Sequence, residues 1–221
     1  MATISIASDK GGVSKTTSAL LFATELALDG YRVGLIDADL NQQAVAFGYK
    51  TEIEGLTVTG DVREDNILAL LRKAEAENDV VIVDLPGGSS TLALKALHRS
   101  HFVLVPSQAS LPDIRAAMKT VAQIDDAQEL ARTPIARAII WTRVLPGFES
   151  RSARHVRESV EIEGQVPILK TAIMERAAFR ELHITGKVPR QTDPMGNAAA
   201  NVAAFTAELL QQLSTLEDAA A

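Results

Sequence analysis

A single α/β domain, a mostly parallel twisted sheet with helices on both faces, is the fold that this 221-residue chain predicts. Three observations point there. Short β-rich runs alternate with helical stretches over the whole length, which is the pattern of βαβ units. Most of those runs are too apolar to face water, as strands covered on both faces must be. Apolar residues make up 47% of the chain, enough for one large core.

The elements follow in order. The strand Thr3–Ala7 leads through a glycine-bearing loop into an Ala/Leu-rich helix over Lys15–Asp29. Arg32–Asp37 is an apolar strand ending in acid, and Gln42–Phe47 a short helix after it. Leu56–Thr59 is a short strand, Glu64–Glu77 a helix, and Val80–Leu85 a fully apolar strand again ending in acid. The helix Thr91–His98 precedes the strand Phe102–Pro106. The helix Leu111–Leu130 opens on Ser110, Pro112 and Asp113, an N-cap, an early proline and a first-turn acid. The strand Ala136–Thr142, the helix Ser152–Glu163, the strand Val166–Leu169 and the helices Glu175–Leu182 and Asn197–Leu216 complete the chain. We read one domain over residues 1–217 and a frayed tail at 218–221. The Pro/Gly-bearing loops at 145–149 and 186–196 are too short to separate domains and are expected to be surface connections near the site.

Composition narrows the function. There is no cysteine, which excludes a disulfide framework, thiolate zinc and iron–sulfur ligation. The four histidines show no paired metal spacing. No apolar run approaches the ~18 residues of a membrane span, and no secretion signal opens the chain, so a cytoplasmic protein is expected. The net charge of −6 is unevenly spread: residues 131–190 carry 11 Lys/Arg against 6 Asp/Glu. That segment could present a basic face to DNA, or its arginines could be solvated ion-pair partners.

The chemistry lies in the loops. Asp9 to Thr17 reads DKGGVSKTT between a strand and a helix. Glycines let backbone N–H groups converge on phosphate oxygens, the helix N-terminus adds its positive end, and Lys15 and Thr16 supply a charge and a Mg²⁺ ligand. The strict phosphate-loop pattern has glycine where this chain has Asp9 and Ser14, and a second lysine, Lys10, stands before the glycine pair. Two further strands end in carboxylates suited to holding a metal and orienting a water: Asp37 with Asp39, and Asp84 followed by Pro86-Gly87-Gly88. Any one of these acids could equally cap the following helix.

Together KGGxxKTT, DADxxQ from Asp37 to Gln42, and the strand with DLPGG resemble the ParA/MinD family of deviant Walker A ATPases, most closely the small ParF-like plasmid-partition proteins. The segment Val103 to Asp113 resembles the family's PxxxSxxD loop, and the resemblance spans roughly residues 2–213. It implies a P-loop NTPase fold, ATP or ADP with Mg²⁺ as ligands, and slow, partner-stimulated hydrolysis. By the same resemblance Gly11, Gly12, Val13, Ser14, Lys15, Thr16 and Thr17 bind nucleotide. Lys15 contacts the β- and γ-phosphates and Thr17 lies near the α-phosphate. Thr16 and Asp84 hold the metal, with Asp37 near it, and Asp39 positions the attacking water. Gln42 and Gly87 belong to the switches with Asp39. Lys10 matches the signature lysine that reaches the partner's phosphates in a nucleotide-sandwich homodimer, so that catalysis depends on dimerisation. By fold analogy the adenine contacts come from Thr142, Arg143 and the loop Val188–Asp193. Glycine is usual in the family at Ser14; the serine could be tolerated, could weaken the loop, or could mark a variant, and retained nucleotide binding is the expectation.

The expected role is a ParA-type ATPase that binds DNA non-specifically as an ATP dimer, drives DNA segregation on the nucleoid and is stimulated by a ParB-like or ribbon-helix-helix centromere-binding protein. Arg151, Arg154, Arg157, Arg176, Arg180 and Arg190 are the candidate phosphate contacts on DNA. The C-terminal stretch 197–221 contains no Lys or Arg, which argues against a basic membrane-binding helix. The phosphate loop begins within ten residues of Met1, so no preceding helix-turn-helix domain is expected. The alternatives are a conjugation or T-DNA-transfer relative that recruits a relaxosome, a nucleotide-binding module that hydrolyses weakly because of Ser14, and a dethiobiotin-synthetase-like enzyme.

Overall fold

Period-two alternation within the strands sets the layers. In the computed structural model, which describes residues 2–220 with side chains as far as Thr215, seven strands form one sheet. They are β1 (Ala2–Ile6), β2 (Val33–Asp37), β3 (Leu56–Thr59), β4 (Val80–Asp84), β5 (Phe102–Ser107), β6 (Ala136–Val144) and β7 (Ile173–Met174). Their order across the sheet is β3-β2-β4-β1-β5-β6-β7, and every pair is parallel.

Among the described residues the helices are α1 (Lys15–Leu28), α2 (Gln43–Gly48), α3 (Ile67–Glu77), α4 (Thr91–Leu97), α5 (Leu111–Ala131), α6 (Arg151–Glu163), α7 (Ala177–Thr185), α8 (Pro189–Thr192) and α9 (Asn197–Ala220). Alternate strand residues feed two cores. Ile4, Leu35, Ile82 and Leu104 pack under α1, α2, α7 and α9, where Phe22 meets Phe205 with ring centroids 5.9 Å apart. Ile36, Val83, Val105 and Ile139 pack under α3, α4, α5 and α6. Burial on both faces is what the near-continuous apolar runs require.

β1 lies between β4 and β5. From it the chain runs to one side for β2 to β4 and to the other for β5 to β7, so the loop after β1 opens into the crevice at a topological switch point. The sequence-predicted boundaries hold to within three residues in most elements. Val166–Leu169 is not a strand: it makes only a bridge from Ile168 to Ile139, because Pro167 has no N–H to extend a ladder. The seventh strand instead forms at Ile173–Met174, a segment anchored by α9, whose Asn201 Oδ1 accepts from the Met174 amide at 2.9 Å. Glu64–Asn66 form a turn before α3, with Asn66 Oδ1 accepting from the Arg63 amide at 2.8 Å. Pro189–Thr192 form the short α8 inside a segment expected to be loop. The last helix runs on to Ala220, and Ala221 of the expected tail lies outside the described residues.

Candidate nucleotide site

The loop between β1 and α1 is a nest of backbone amides ending in a helix. Gly12 has φ +77°, and Ser14, the N-cap residue of α1, has φ 70° and ψ 31°. The Ser14 carbonyl accepts from both the Ser18 amide at 2.9 Å and the Ser18 hydroxyl at 2.8 Å, which starts the helix firmly. Lys15 is buried at 7% exposure. A Cβ on Gly87 would stand 3.6 Å from Lys15 Nζ and from the Gly11 amide nitrogen, so the turn after β4 closes directly over the loop. These elements border a cavity of about 620 Å³ whose lining includes Gly11, Lys15, Thr16, Thr17, Asp39 and Gly87.

The carboxylates differ in what they are free to do. Asp84 is completely buried; neither of its oxygens makes a hydrogen bond of good geometry, although the Thr16 hydroxyl stands close enough to favour the carboxylate. Burial pushes its pKa up to about 7; Thr16 and Lys15 draw it down, while Asp37 and Asp39 push it further up. Asp37 lies beside it in register on β2. Its oxygens are occupied, accepting from the amides of Ala44 at 2.8 Å, Val45 at 3.0 Å and Asp39 at 3.2 Å. Burial raises its pKa and those three amides lower it. It therefore anchors the start of α2, the helix-capping role open to any strand-terminal acid. Asp39 projects into the cavity and accepts from the Asn41 amide and side chain, both at 2.9 Å.

Comparison with known proteins decides the family. The model of the VirC1 protein family matches residues 1–218. The protein ParA of Rhizobium radiobacter is 30% identical over 219 residues, covering 97% of this chain and 98% of that protein. The chain belongs to the VirC1 family of ParA/MinD-type ATPases. Its fold matches apo McdA from Cyanothece with a TM-score of 0.81 at 17% identity, over 95% of this chain and 99% of that one. It also matches the septum site-determining protein MinD from Pyrococcus horikoshii OT3, complexed with Mg-ADP, with a TM-score of 0.73 at 19% identity, over 97% and 98% of the two chains.

Against that family background the remaining residues sort clearly. Lys10 is held within its own chain: its Nζ lies 2.7 Å from Asp113 Oδ1, an ion pair whose angles fall short of a hydrogen bond. Asp113 is buried at the start of α5, where Ser110 also contacts it. Asp9 is tied to the same helix, its amide donating to Thr120 Oγ1 at 2.8 Å and its carboxylate pairing with Lys119 at 3.0 Å. The carboxylate that the loop carries is thus paired with a cation. Asp113, Lys119 and Thr120 support the loop from more than a hundred residues away, and no local spacing announces them.

Thr142 is buried beneath the loop, its hydroxyl donating to the Val13 carbonyl at 3.1 Å and the Ser107 carbonyl at 3.3 Å. Arg143 reaches the cavity. Gln42 does not: its side-chain oxygen faces Gly60, and Gln43 lines the cavity in its place. The segment 186–196 borders, through Arg190 and Pro194, a cavity other than the one over the 11–17 loop, and there Arg190 pairs with Glu25 at 3.1 Å and Asp29 at 2.6 Å. Thr17 instead has His183 as neighbour, Oγ1 to Nε2 3.5 Å. Burial, with Lys50 beside it, lowers the pKa of that imidazole.

The six arginines divide. Arg154 and Arg157 pair with Glu149 at 3.4 and 3.2 Å, and Arg157 also stacks 5.4 Å from the Trp141 ring centre. Arg180 pairs with Glu175 and Arg190 with Glu25 and Asp29. Arg151 and Arg176 make no ion pair among the described residues. No helix among the described residues is long and apolar enough to cross a membrane, and none of them form a cluster of three or more metal-ligating acids or histidines.

Proposed function

We propose that the protein binds Mg-ATP at the 11–17 loop, dimerises around it, associates with DNA without sequence preference and drives DNA segregation, hydrolysis being stimulated by a centromere-bound partner. The carrying observation is Asp84, a fully buried carboxylate with no hydrogen bond of good geometry, next to Thr16 and Lys15. Such a group is unfavourable alone and suits a hydrated divalent cation, with the Thr16 hydroxyl as direct ligand. The Mg²⁺ would neutralise charge on the β- and γ-phosphates.

The chain's own residues supply the rest. Amides of Gly11 to Thr17 cradle phosphate oxygens, and Lys15, already desolvated, adds a fixed charge that needs no reorganisation. Asp39 at the mouth orients the attacking water, and Gly87 reads the terminal phosphate through its backbone. Lys10 leaves Asp113 to reach the partner's phosphates, and Asp113 receives it again when nucleotide is spent. The neighbour MinD, seen with Mg-ADP, supports the ligand, and the relative named ParA supports the partition role.

On DNA, the exposed Arg151, Arg154 and Arg180 with Arg176 form the better candidates for phosphate contact; Arg157 and Arg190 are committed to Trp141 with Glu149, and to Glu25 with Asp29. A DNA-transfer role, recruiting a relaxosome, is the second possibility and is favoured by the VirC1 family match. Isothermal titration with Mg-ATP tests the first step. Wild type should bind and Lys15→Ala should bind at least about tenfold more weakly, as loss of a charged hydrogen-bond donor implies. Equal affinity for the two proteins would refute the assigned site.

A further inference from the structure

Two residues other than glycine hold left-handed backbone at the mouth of the phosphate cavity. Ser14 has φ 70° and Arg143 has φ 53°, a conformation with a steric penalty for any residue bearing a Cβ. The Ser14 side chain makes no capping bond to α1. Arg143 is the extra residue where the register of β6 against β7 shifts between Thr142 and Val144, and such a bulge re-aims a side chain out of the sheet's alternation. The two side chains meet: Arg143 Nε donates to Ser14 Oγ at 3.2 Å, across 129 residues of sequence. With Thr17 they line both the phosphate cavity and a smaller one of about 160 Å³, walled by Ile173 and Phe179. Arg176, whose Nε is buried without a partner, lines that smaller cavity too.

We propose that Ser14 is a positioning residue for the nucleotide, its hydroxyl fixing the Arg143 guanidinium on the wall between the two cavities, where the guanidinium contacts the bound nucleotide. The proposal rests on the nucleotide function above. A guanidinium bound through Nε keeps four N–H donors on its two terminal nitrogens, all free for phosphate or sugar oxygens. Without the hydroxyl, an exposed arginine must be ordered by the ligand at the moment of binding, which weakens affinity. The serine therefore trades backbone ease for arginine order. Glycine at 14 would suit the backbone better and free the arginine, so apo stability and nucleotide affinity should move in opposite directions.

The test is a double-mutant cycle on wild type, Ser14→Gly, Arg143→Gln and the double variant, with Arg143→Lys as a charge-preserving control. Mg-ATP dissociation constants come from titration calorimetry and apo melting temperatures confirm folding. Ser14→Gly should melt above wild type yet bind about fivefold more weakly. Arg143→Gln should lose about tenfold, and Arg143→Lys should resemble Ser14→Gly, because lysine has no Nε fork. The double variant should bind no worse than Arg143→Gln alone, since the hydroxyl acts only through the guanidinium. Ser14→Gly binding as tightly as wild type or tighter, or losses that multiply in the double variant, overturns the proposal while the nucleotide function stands. A wild type that binds no Mg-ATP overturns both.

Discussion

Asp84 joins the stability of the protein to the proposed function at the scale of one residue. Its folded pKa of about 7 lies above the ordinary 3.8 because burial penalises the charge. The folded state therefore holds the proton more tightly than the unfolded chain, and stability falls as pH rises from about 4 to 7. Asp84→Asn removes the penalty. At pH 8 the variant should be more stable than wild type in urea unfolding, on the order of 2 kcal/mol after the cost of burying an amide, and at pH 4 nearly equal. Equal stability at pH 8 would show that the carboxylate is not buried alone. The glycines, Lys15 and Thr16 were legible as candidates because the loop that carries them is written within nine consecutive residues, and Asp37 and Asp84 because each ends an apolar strand. Lys10's resting partner Asp113 and the contacts of Asp9 with Lys119 and Thr120 were not, since they depend on α5 crossing under the loop. Asp37 shows the ambiguity of type alone: the same acid serves as helix anchor here rather than as an open ligand.

At the scale of elements, the sheet was readable where strands are apolar and bounded by turns, and unreadable at its last edge. β7 exists because α9 offers Asn201 to Met174 and Glu208 to the amides of Lys170 and Thr171, contacts that no local pattern encodes. The junction of α2 with α7 is a comparable long-range feature. Gly186 ends α7 at φ +70°, and a Cβ there would stand 2.6 Å from Lys50 Cβ and 2.7 Å from the Lys50 carbonyl. Lys50 also donates to the His183 carbonyl at 2.7 Å, which brings the junction up to the Thr17 end of the phosphate loop through His183. Gly186→Ala should cost about 2–4 kcal/mol, from left-handed strain together with overpacking. Chemical denaturation checks this; a loss below about 0.5 kcal/mol would mean that the junction has slack.

The whole molecule is an acidic protein with a basic segment, net −6 overall against an excess of Lys/Arg over 131–190. Much of that excess is spent internally: Arg137 pairs with Asp125, and Arg190 bridges two acids of α1 and its C-cap. For the proposed DNA-bound dimer, affinity should consequently come from few phosphate contacts in each protomer, doubled by the dimer. The logarithm of affinity for arbitrary duplex DNA should fall linearly with the logarithm of salt concentration, and Arg151→Ala should make the slope shallower by about one contact per protomer. A slope unchanged by that substitution would remove Arg151 from the interface. In the proposed switch, Lys10 moves from Asp113 in its own chain to a partner's phosphates. Sedimentation with a non-hydrolysable ATP analogue and Mg²⁺ tests that most directly, comparing wild type with Lys10→Ala while nucleotide occupancy is measured in the same samples. The account predicts a wild-type dimer and a nucleotide-loaded Lys10→Ala monomer; a wild type that stays monomeric when saturated, or a Lys10→Ala variant that dimerises equally well, would contradict it.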